Sequence, residues 1–176
     1  MACKSYPVPL IVRSFAWYED SLSRALVHMK YRPNRKVSAL IAGWLTELYL
    51  REKWDVTMVV PVPLSEARLL QRGFNQVALI SAPFAQTLGL RHDEKALIRN
   101  RDTKSQVGLD ATARLQNVRG AFQGFPQQIQ GQRVLVVDDL YTTGATMSAC
   151  AEALLDAGAE AVYGLTVGRA RGKVYT

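Results

Sequence analysis

The sequence predicts an α/β fold in which helices flank a central, mainly parallel sheet. Three short segments, 56–60, 133–137 and 161–167, are rich in apolar and β-branched residues and have the length of strands. Because their apolar residues do not alternate with polar ones, these strands are expected to be covered on both faces. Amphipathic helical patterns lie between them along the chain. This order of strands and helices is typical of a parallel sheet with helices on both sides.

The first third of the chain predicts two helices. Asp20 or Ser21 can cap a helix that runs to about Tyr31, and Pro33 then ends it. A second amphipathic helix is expected from about Val37 to Lys53, because its apolar residues recur at helical spacing.

The middle of the chain predicts another helix, a short strand and a long loop. Helical spacing of apolar residues runs from Phe74 to Leu88, and Pro83 inside it is expected to kink or split the helix. Gly89 is a plausible C-terminal cap. Ala96–Arg99 can form a short strand. The polar, basic stretch 100–120 is too long for a tidy turn, and loops of that length in compact domains are usually functional.

Length and composition indicate a single compact unit. The 176 residues and the 48% apolar fraction exclude intrinsic disorder as an overall description. We expect residues 1–54 to form an N-terminal helical hood on an α/β core of residues 55–176. The two cysteines, Cys3 and Cys150, exclude a disulfide framework and a four-cysteine zinc site. The sequence has no long apolar run and no signal-peptide pattern, so a cytoplasmic protein without a membrane partner is expected.

The charge distribution points to an anionic partner. Lysine and arginine total 22 against 15 acidic residues, which gives a net charge of +7. Residues 1–125 hold 18 basic and 10 acidic side chains, whereas residues 126–176 hold 4 and 5. A basic first part suits a phosphorylated metabolite, a nucleic acid or an acidic protein, and a solvated basic surface is the alternative.

The clearest functional signal is an acidic pair followed by a Thr/Gly turn. The buried strand 133–137 delivers Asp138 and Asp139 to its carboxyl end, where open α/β sheets place ligands. The turn Thr142–Thr146 then precedes a helix expected over Ala145–Asp156. Free N–H groups at a helix start and threonine hydroxyls favour an anion such as phosphate. Because carboxylates repel phosphate, they should face sugar hydroxyls or a bound divalent cation instead.

Other classes of protein explain this segment less well. A P-loop ATPase also has an apolar strand that ends in acids, but the sequence contains no G-x-x-x-x-G-K-[ST] upstream. A dinucleotide-binding fold would need G-x-G-x-x-G after a strand, and this pattern is absent. The remaining alternative is that Asp and Thr merely form a turn and cap a helix.

Two stretches resemble a known family. The segment VLVVDDLYTTGAT at 134–146 resembles the phosphoribosyl pyrophosphate (PRPP) binding motif of type I phosphoribosyltransferases. The segment PVPLSEARLLQRGFNQ at 61–76 resembles the signature of the ComF family, phosphoribosyltransferase-like proteins linked to DNA uptake in competent bacteria. The resemblance covers about residues 15–168. Further matches are Lys30-Tyr31-Arg32, Gln106, Arg114, Asn117, Gly120 and Phe122.

The resemblance implies a type I phosphoribosyltransferase-like fold and assigns the PRPP site. Asp138 and Asp139 would contact the ribose hydroxyls as the catalytic pair. The 5-phosphate would be held by Thr142, Thr143, Gly144, Ala145 and Thr146. Pyrophosphate would be bound by Val62, Pro63, Leu64, Ser65, Arg68 and Arg72. Since Pro61 and Pro63 have no N–H, only part of that loop can donate hydrogen bonds.

The resemblance also implies a lid and a metal. Arg101, Lys104 and Gln106 belong to the long polar loop that corresponds to a mobile lid over PRPP. Mg²⁺ would enter with PRPP, with no direct protein ligand. Members of the family often begin with a cysteine-rich zinc module, but only Cys3 lies near the start of this chain, so no zinc is expected.

Two functions follow from the resemblance. The first is the transfer of phosphoribosyl from PRPP to an unidentified nitrogenous acceptor, with release of pyrophosphate. The alternative is a non-catalytic accessory protein of competence and DNA uptake, which binds single-stranded DNA or a competence protein. Basic residues around an aromatic one suit single-stranded DNA, although a solvated helix end explains them too. These residues are Lys30, Tyr31, Arg32, Arg35 and Lys36. A homodimer is a further possibility.

Overall fold

A computed structural model describes residues 10–101 and 117–171, and it has a five-stranded parallel sheet at its centre. The sheet order is β1-β7-β6-β2-β3, and a separate antiparallel ribbon pairs β4 with β5. The strands are β1 (Ile11–Trp17), β2 (Met58–Pro61), β3 (Arg91–His92), β4 (Leu97–Arg99), β5 (Phe122–Gly124), β6 (Arg133–Tyr141) and β7 (Ala161–Arg169).

Helices cover both faces of this sheet, as predicted. Those in the described residues are α1 (Asp20–Met29), α2 (Arg35–Arg51), α3 (Glu66–Arg72), α4 (Gln76–Leu88), the single turn α5 (Pro126–Ile129) and α6 (Ala145–Asp156). None of them is both long and apolar enough to span a bilayer.

The central strand β6 is apolar throughout because it separates two hydrophobic cores. Val134 and Val136 face a core formed with α6 and the β4–β5 ribbon. Leu135 and Val137 face the opposite core, formed with α1, α2 and α4. All four side chains are fully buried, and burial of such a side chain contributes about 1.5–3 kcal/mol. The prediction of doubly covered parallel strands is thus confirmed.

The N-terminal segment contributes a strand that the sequence did not predict. β1 pairs in parallel with β7 at the edge of the sheet, with Ser14 opposite Thr166, and the hydroxyls of these two residues lie 2.7 Å apart. After β1, α1 and α2 pack on the same core as α4. Residues 11–51 therefore complete the sheet and cover one of its faces. The corner between α1 and α2 reaches the carboxyl edge of the sheet through Lys30.

The expected split at Pro83 does not occur, because α4 is continuous from Gln76 to Leu88; the kink stays a prediction. Proline removes only the N–H that would reach the carbonyl of Leu79. Leu79 is half-buried on the outer side of the helix, where water can serve that carbonyl. The predicted cap at Gly89 is confirmed, because this residue is left-handed with φ +66°.

Candidate functional site

The acidic pair lies within β6, near the carboxyl end of the strand. β6 continues to Tyr141, beyond its predicted end, and Asp138 still pairs with Thr166 of β7. Successive side chains of a strand point to opposite faces, so Asp138 points toward the α6 side and Asp139 toward the α4 side. Asp139 is buried and 8% exposed, and Asp138 is half-buried. The two carboxyls therefore meet different surroundings.

Of the two acids, Asp138 is the one with a raised pKa. Burial of its carboxyl group raises its pKa well above the ordinary value, and the charge of Asp139 adds to this increase. A hydrogen bond from the backbone N–H of Asp139, at 2.8 Å, acts in the opposite direction. The thiol of Cys150 lies nearby, and burial, followed by the charge of Asp138, raises its pKa. Asp138 can thus retain a proton at pH values where an exposed aspartate is ionised.

Asp139 is held by two donors from different elements. The side-chain amide of Gln76, at the start of α4, donates to Oδ2 at 3.1 Å. Lys30 Nζ, just after α1, lies 3.5 Å from the same oxygen. Both contacts orient the carboxyl group of Asp139.

The Thr/Gly turn lies directly beside Asp138. Gly144 caps α6 with φ +81°, and a Cβ there would lie 2.5 Å from the hydroxyl oxygen of Tyr141. Glycine is therefore required for this close turn. One depression in the surface is lined by Asp138, Tyr141, Thr142, Gly144, Ala145 and Thr146. The fold places an acid, hydroxyl donors and a helix N-terminus around one small depression of about 10 Å³, whose donors suit the oxygens of a phosphate group.

The loop after β2 offers fewer donors than the sequence suggested. The N–H of Val62 donates to the carbonyl of Val137 at 2.9 Å, so it is not available for an anion. Pro63 has no N–H. Leu64 and Ser65 remain, and Ser65 forms a bridge with Arg99 of β4. The expectation that Val62 donates to pyrophosphate is corrected accordingly.

A pocket of about 510 Å³ lies between this loop and β4. The Ser65 residue is 3% exposed, and its hydroxyl has no hydrogen-bond partner in the described part of the chain. The lining residues include Leu64, Ser65, Lys95, Arg99, Asn100 and Arg101. Glu66 and Glu94 line the same pocket, so its cations exceed its acids by one. This excess, beside a buried hydroxyl, suits an anion. Lys95 was not predicted from the sequence, because it is an isolated lysine that only the fold brings to this loop.

The arginines of α3 were predicted to bind pyrophosphate. Arg72 donates through Nη1 to the side-chain oxygen of Gln76 at 3.1 Å. Neither Arg68 nor Arg72 is among the residues that line the pocket at the loop after β2. Their role as pyrophosphate ligands therefore stays a prediction. Gln76 was missed as a site residue, although it ends the RGFNQ stretch from which the family resemblance was drawn.

The predicted lid is described only at its base. Arg101 donates to the backbone carbonyls of Asn117 at 3.2 Å and Arg119 at 2.9 Å, which ties the two ends of the loop together. Lys104 and Gln106 lie outside the described residues.

The basic corner between α1 and α2 is largely exposed. Tyr31 is 75% exposed, and Arg32, Arg35 and Lys36 are exposed as well. Lys30 instead points to Asp139. The corner therefore lies next to the acidic pair. Within residues 10–101 and 117–171, no three His, Cys, Asp or Glu side chains are grouped so as to hold a metal ion.

Sequence comparison finds relatives whose names refer to DNA utilization and to competence. DNA utilization protein YhgH of Escherichia coli K12 is 39% identical over 150 residues, which is 82% of this chain and 66% of the relative. Competence protein ComFC of Bacillus subtilis is 32% identical over 147 residues, 83% of this chain and 58% of the relative. The aligned segment thus spans about two thirds or less of these curated relatives. No protein-family model matches the sequence.

A solved structure supports the fold. Glutamine PRPP amidotransferase of B. subtilis, complexed with ADP and GMP, superposes with a TM-score of 0.53 at 18% identity, over 80% of this chain and 30% of that protein. This similarity concerns the fold alone. Taken with the sequence relatives, it shows that the chain belongs to the family of YhgH and the ComF competence proteins and has the type I phosphoribosyltransferase fold.

Proposed function

We propose that the protein binds PRPP with Mg²⁺ and transfers its phosphoribosyl group to a nitrogenous acceptor. The observation that carries this proposal is the depression shared by Asp138 and the Thr/Gly turn. A ribose 5-phosphate has hydroxyl groups at one end and a phosphate at the other. The depression presents a carboxyl group to the hydroxyls and a helix N-terminus to the phosphate. The lining cations Lys95, Arg99 and Arg101 of the neighbouring pocket support a site for the pyrophosphate part.

The reaction exchanges one bond at C1 of the ribose for another. The bond from C1 to the pyrophosphate oxygen breaks, and its electron pair leaves with pyrophosphate. The acceptor nitrogen supplies the electron pair of the new bond to C1, and its proton is released to solvent. Because positive charge develops on the ribose ring, catalysis requires stabilisation of the leaving group and exclusion of water.

Each part of the site has a role in this scheme. Asp138, which lines the depression beside the turn, accepts a hydrogen bond from one ribose hydroxyl. Asp139, oriented by Lys30 and Gln76, accepts a hydrogen bond from the other. The hydroxyls and N–H groups of the turn Thr142–Thr146 bind the 5-phosphate. Lys95 and the arginines of its pocket stabilise the charge on departing pyrophosphate. Mg²⁺ bound together with PRPP would supply further positive charge at that leaving group.

Pyrophosphate release tests turnover. The protein would be incubated with PRPP and Mg²⁺ in the presence of purines, pyrimidines or small amines, and pyrophosphate would be measured over time. Release that depends on one acceptor class and is lost in an Asp138→Asn/Asp139→Asn variant would support the transferase. Absence of release with every acceptor, despite PRPP binding, would contradict it.

A second function is an accessory role in the use of single-stranded DNA in the cytoplasm. Two observations favour it: the exposed Tyr31 with Arg32, Arg35 and Lys36 beside the site, and the names of the relatives, which refer to DNA utilization and competence. Affinity for single-stranded DNA should fall steeply with salt through counterion release. An Arg32→Gln/Arg35→Gln/Lys36→Gln variant should lose that binding. Equal binding by the variant would exclude this surface as the DNA site.

A further inference from the structure

Gln76 is a buried polar residue whose amide group is paired at both ends. The residue is 3% exposed. Its Nε2 donates to Oδ2 of Asp139 at 3.1 Å, and its Oε1 accepts from Nη1 of Arg72 at 3.1 Å. Burial of an amide is costly unless such hydrogen bonds compensate for the lost water. The amide therefore links an arginine of α3 to the acid pair of β6.

Arg72 fixes the direction of this amide. A guanidinium group has donors only, so the oxygen of Gln76 must face Arg72. The NH₂ group then has to face Asp139. In the flipped orientation, the amide oxygen would face the carboxylate and the NH₂ group would face the guanidinium, and both contacts would be unfavourable.

The backbone around Gln76 is itself anchored. Gly73 ends α3 in a left-handed conformation with φ +76°. The side chain of Asn75 donates to the carbonyl of Val62 at 3.0 Å and accepts from the N–H of Val77 at 3.0 Å. The start of α4 is thus tied to the loop after β2. Lys30 is the other partner of Asp139. Its long side chain is 28% exposed, whereas Gln76 is buried.

We propose that Gln76 is a positioning residue for Asp139 and that Arg72 affects PRPP only through Gln76. This inference rests on the proposed PRPP site. It replaces the direct pyrophosphate contact that the family resemblance suggested for Arg72. The hydrogen bond from Gln76 holds the Asp139 carboxylate in the orientation in which it accepts a ribose hydroxyl.

A double-mutant cycle tests this relay. Affinity for PRPP with Mg²⁺ would be measured by calorimetry for wild type, Gln76→Met, Arg72→Met and the double variant. Loss of a hydrogen bond to a charged group should weaken binding by about 10–100-fold in Gln76→Met. Arg72→Met should weaken it less, and the double variant should equal Gln76→Met, since residues in one network are not additive. Arg72→Lys should restore most of the affinity when Gln76 is present and none when it is absent.

Matched controls separate this effect from damage to the fold. Gln71 is an exposed glutamine of α3, and Gln71→Met should bind PRPP like wild type. Melting temperatures would be recorded for every variant. If Gln76→Met does not fold, Gln76→Leu gives the same test, because it also lacks the donor to Asp139 and adds no charge.

The possible failures are distinguishable. If wild type shows no PRPP binding, the proposed function fails and the relay fails with it. If wild type binds and Gln76→Met binds equally well, the relay alone is wrong. If the losses of Gln76→Met and Arg72→Met add in the double variant, Arg72 contacts the ligand directly and the proposal is overturned.

Discussion

The two neighbouring aspartates have distinct electrostatic environments because a strand sends alternate side chains to opposite faces. Asp139 meets a lysine and an amide donor on the α4 side. For Asp138, burial is the largest influence on its protonation, and the charge of Asp139 is the second. At the scale of the residue, Asp139 is thus the oriented hydrogen-bond acceptor, and Asp138 is the acid with the raised pKa.

The first prediction follows from the raised pKa of Asp138. An aspartate in the unfolded chain ionises near 3.8, whereas folded Asp138 does so at higher pH. The folded state therefore binds the proton more tightly, and stability falls as pH rises from about 3.8 through the raised pKa. Above that range, the full free-energy cost of ionising the buried Asp138 carboxyl destabilises the folded state. Asp138→Asn removes it, so its melting temperature at pH 7 should exceed that of wild type, by about 2–4 °C for each kcal/mol relieved.

Thermal melting from pH 3.5 to pH 8 checks this prediction. The difference between Asp138→Asn and wild type should shrink as the pH falls toward the ordinary pKa of aspartate. A variant that is less stable than wild type at pH 7, or a difference that grows on acidification, would show that the ionised carboxylate of Asp138 stabilises the fold.

At the scale of the element, α4 links the core to the site. Its apolar face is buried through Val77, Ile80 and Phe84, while its first residue, Gln76, reaches Asp139. The helix runs through Pro83 without a break. A proline inside a helix lacks one hydrogen bond and is unfavourable relative to alanine.

Pro83→Ala should therefore stabilise the protein. The substitution restores an N–H for the carbonyl of Leu79 within a helix that is already continuous. We expect the free energy of unfolding to rise by about 1–3 kcal/mol, part of the roughly 3 kcal/mol by which proline is unfavourable in helix interiors. Urea denaturation measures it, with affinity for PRPP expected to be unchanged. A destabilised variant would indicate that the proline ring itself packs favourably at this position.

The elements predicted from the sequence are those with strong local patterns. β6 and α6 were predicted because a buried strand, a Thr/Gly turn and a helical pattern follow one another directly. β1 was missed because it is an edge strand whose pairing partner, β7, is far away in the chain. Its residues Ile11, Phe15 and Trp17 remain exposed, so the apolar pattern does not match that of a buried strand.

In the candidate site too, only the residues that are close together in the sequence could be predicted to lie together. The acid pair and the turn lie within nine residues of the sequence, so their proximity could be predicted. The hydrogen bond from Gln76 to Asp139 joins residues 63 positions apart, and sequence spacing contains no information about it. The same holds for Lys30 and for Lys95, which the fold brings to the edge of the sheet from other elements.

At the scale of the whole molecule, the excess positive charge has a location. The net charge is +7, and cations lie on both sides of the acid pair. Lys30 and the basic corner come from the connection of α1 to α2, and Lys95, Arg99 and Arg101 line the pocket beside β4. An anionic ligand at the carboxyl edge of the sheet would meet both groups, which is consistent with PRPP and with a nucleic-acid strand.

The central claim is that this edge binds PRPP through the acid pair and the Thr/Gly turn, and thermal melting with PRPP and Mg²⁺ tests it most directly. Wild type and Asp138→Asn/Asp139→Asn would each be melted with PRPP, with Mg²⁺, with both and with neither. A ligand at 100 times its dissociation constant adds about 2.7 kcal/mol, or roughly 5–10 °C for a chain of this size. We predict that shift for wild type with both ligands and none for the double variant, which should remain folded. Absence of a shift in wild type at millimolar PRPP, or an equal shift in the variant, would contradict the account.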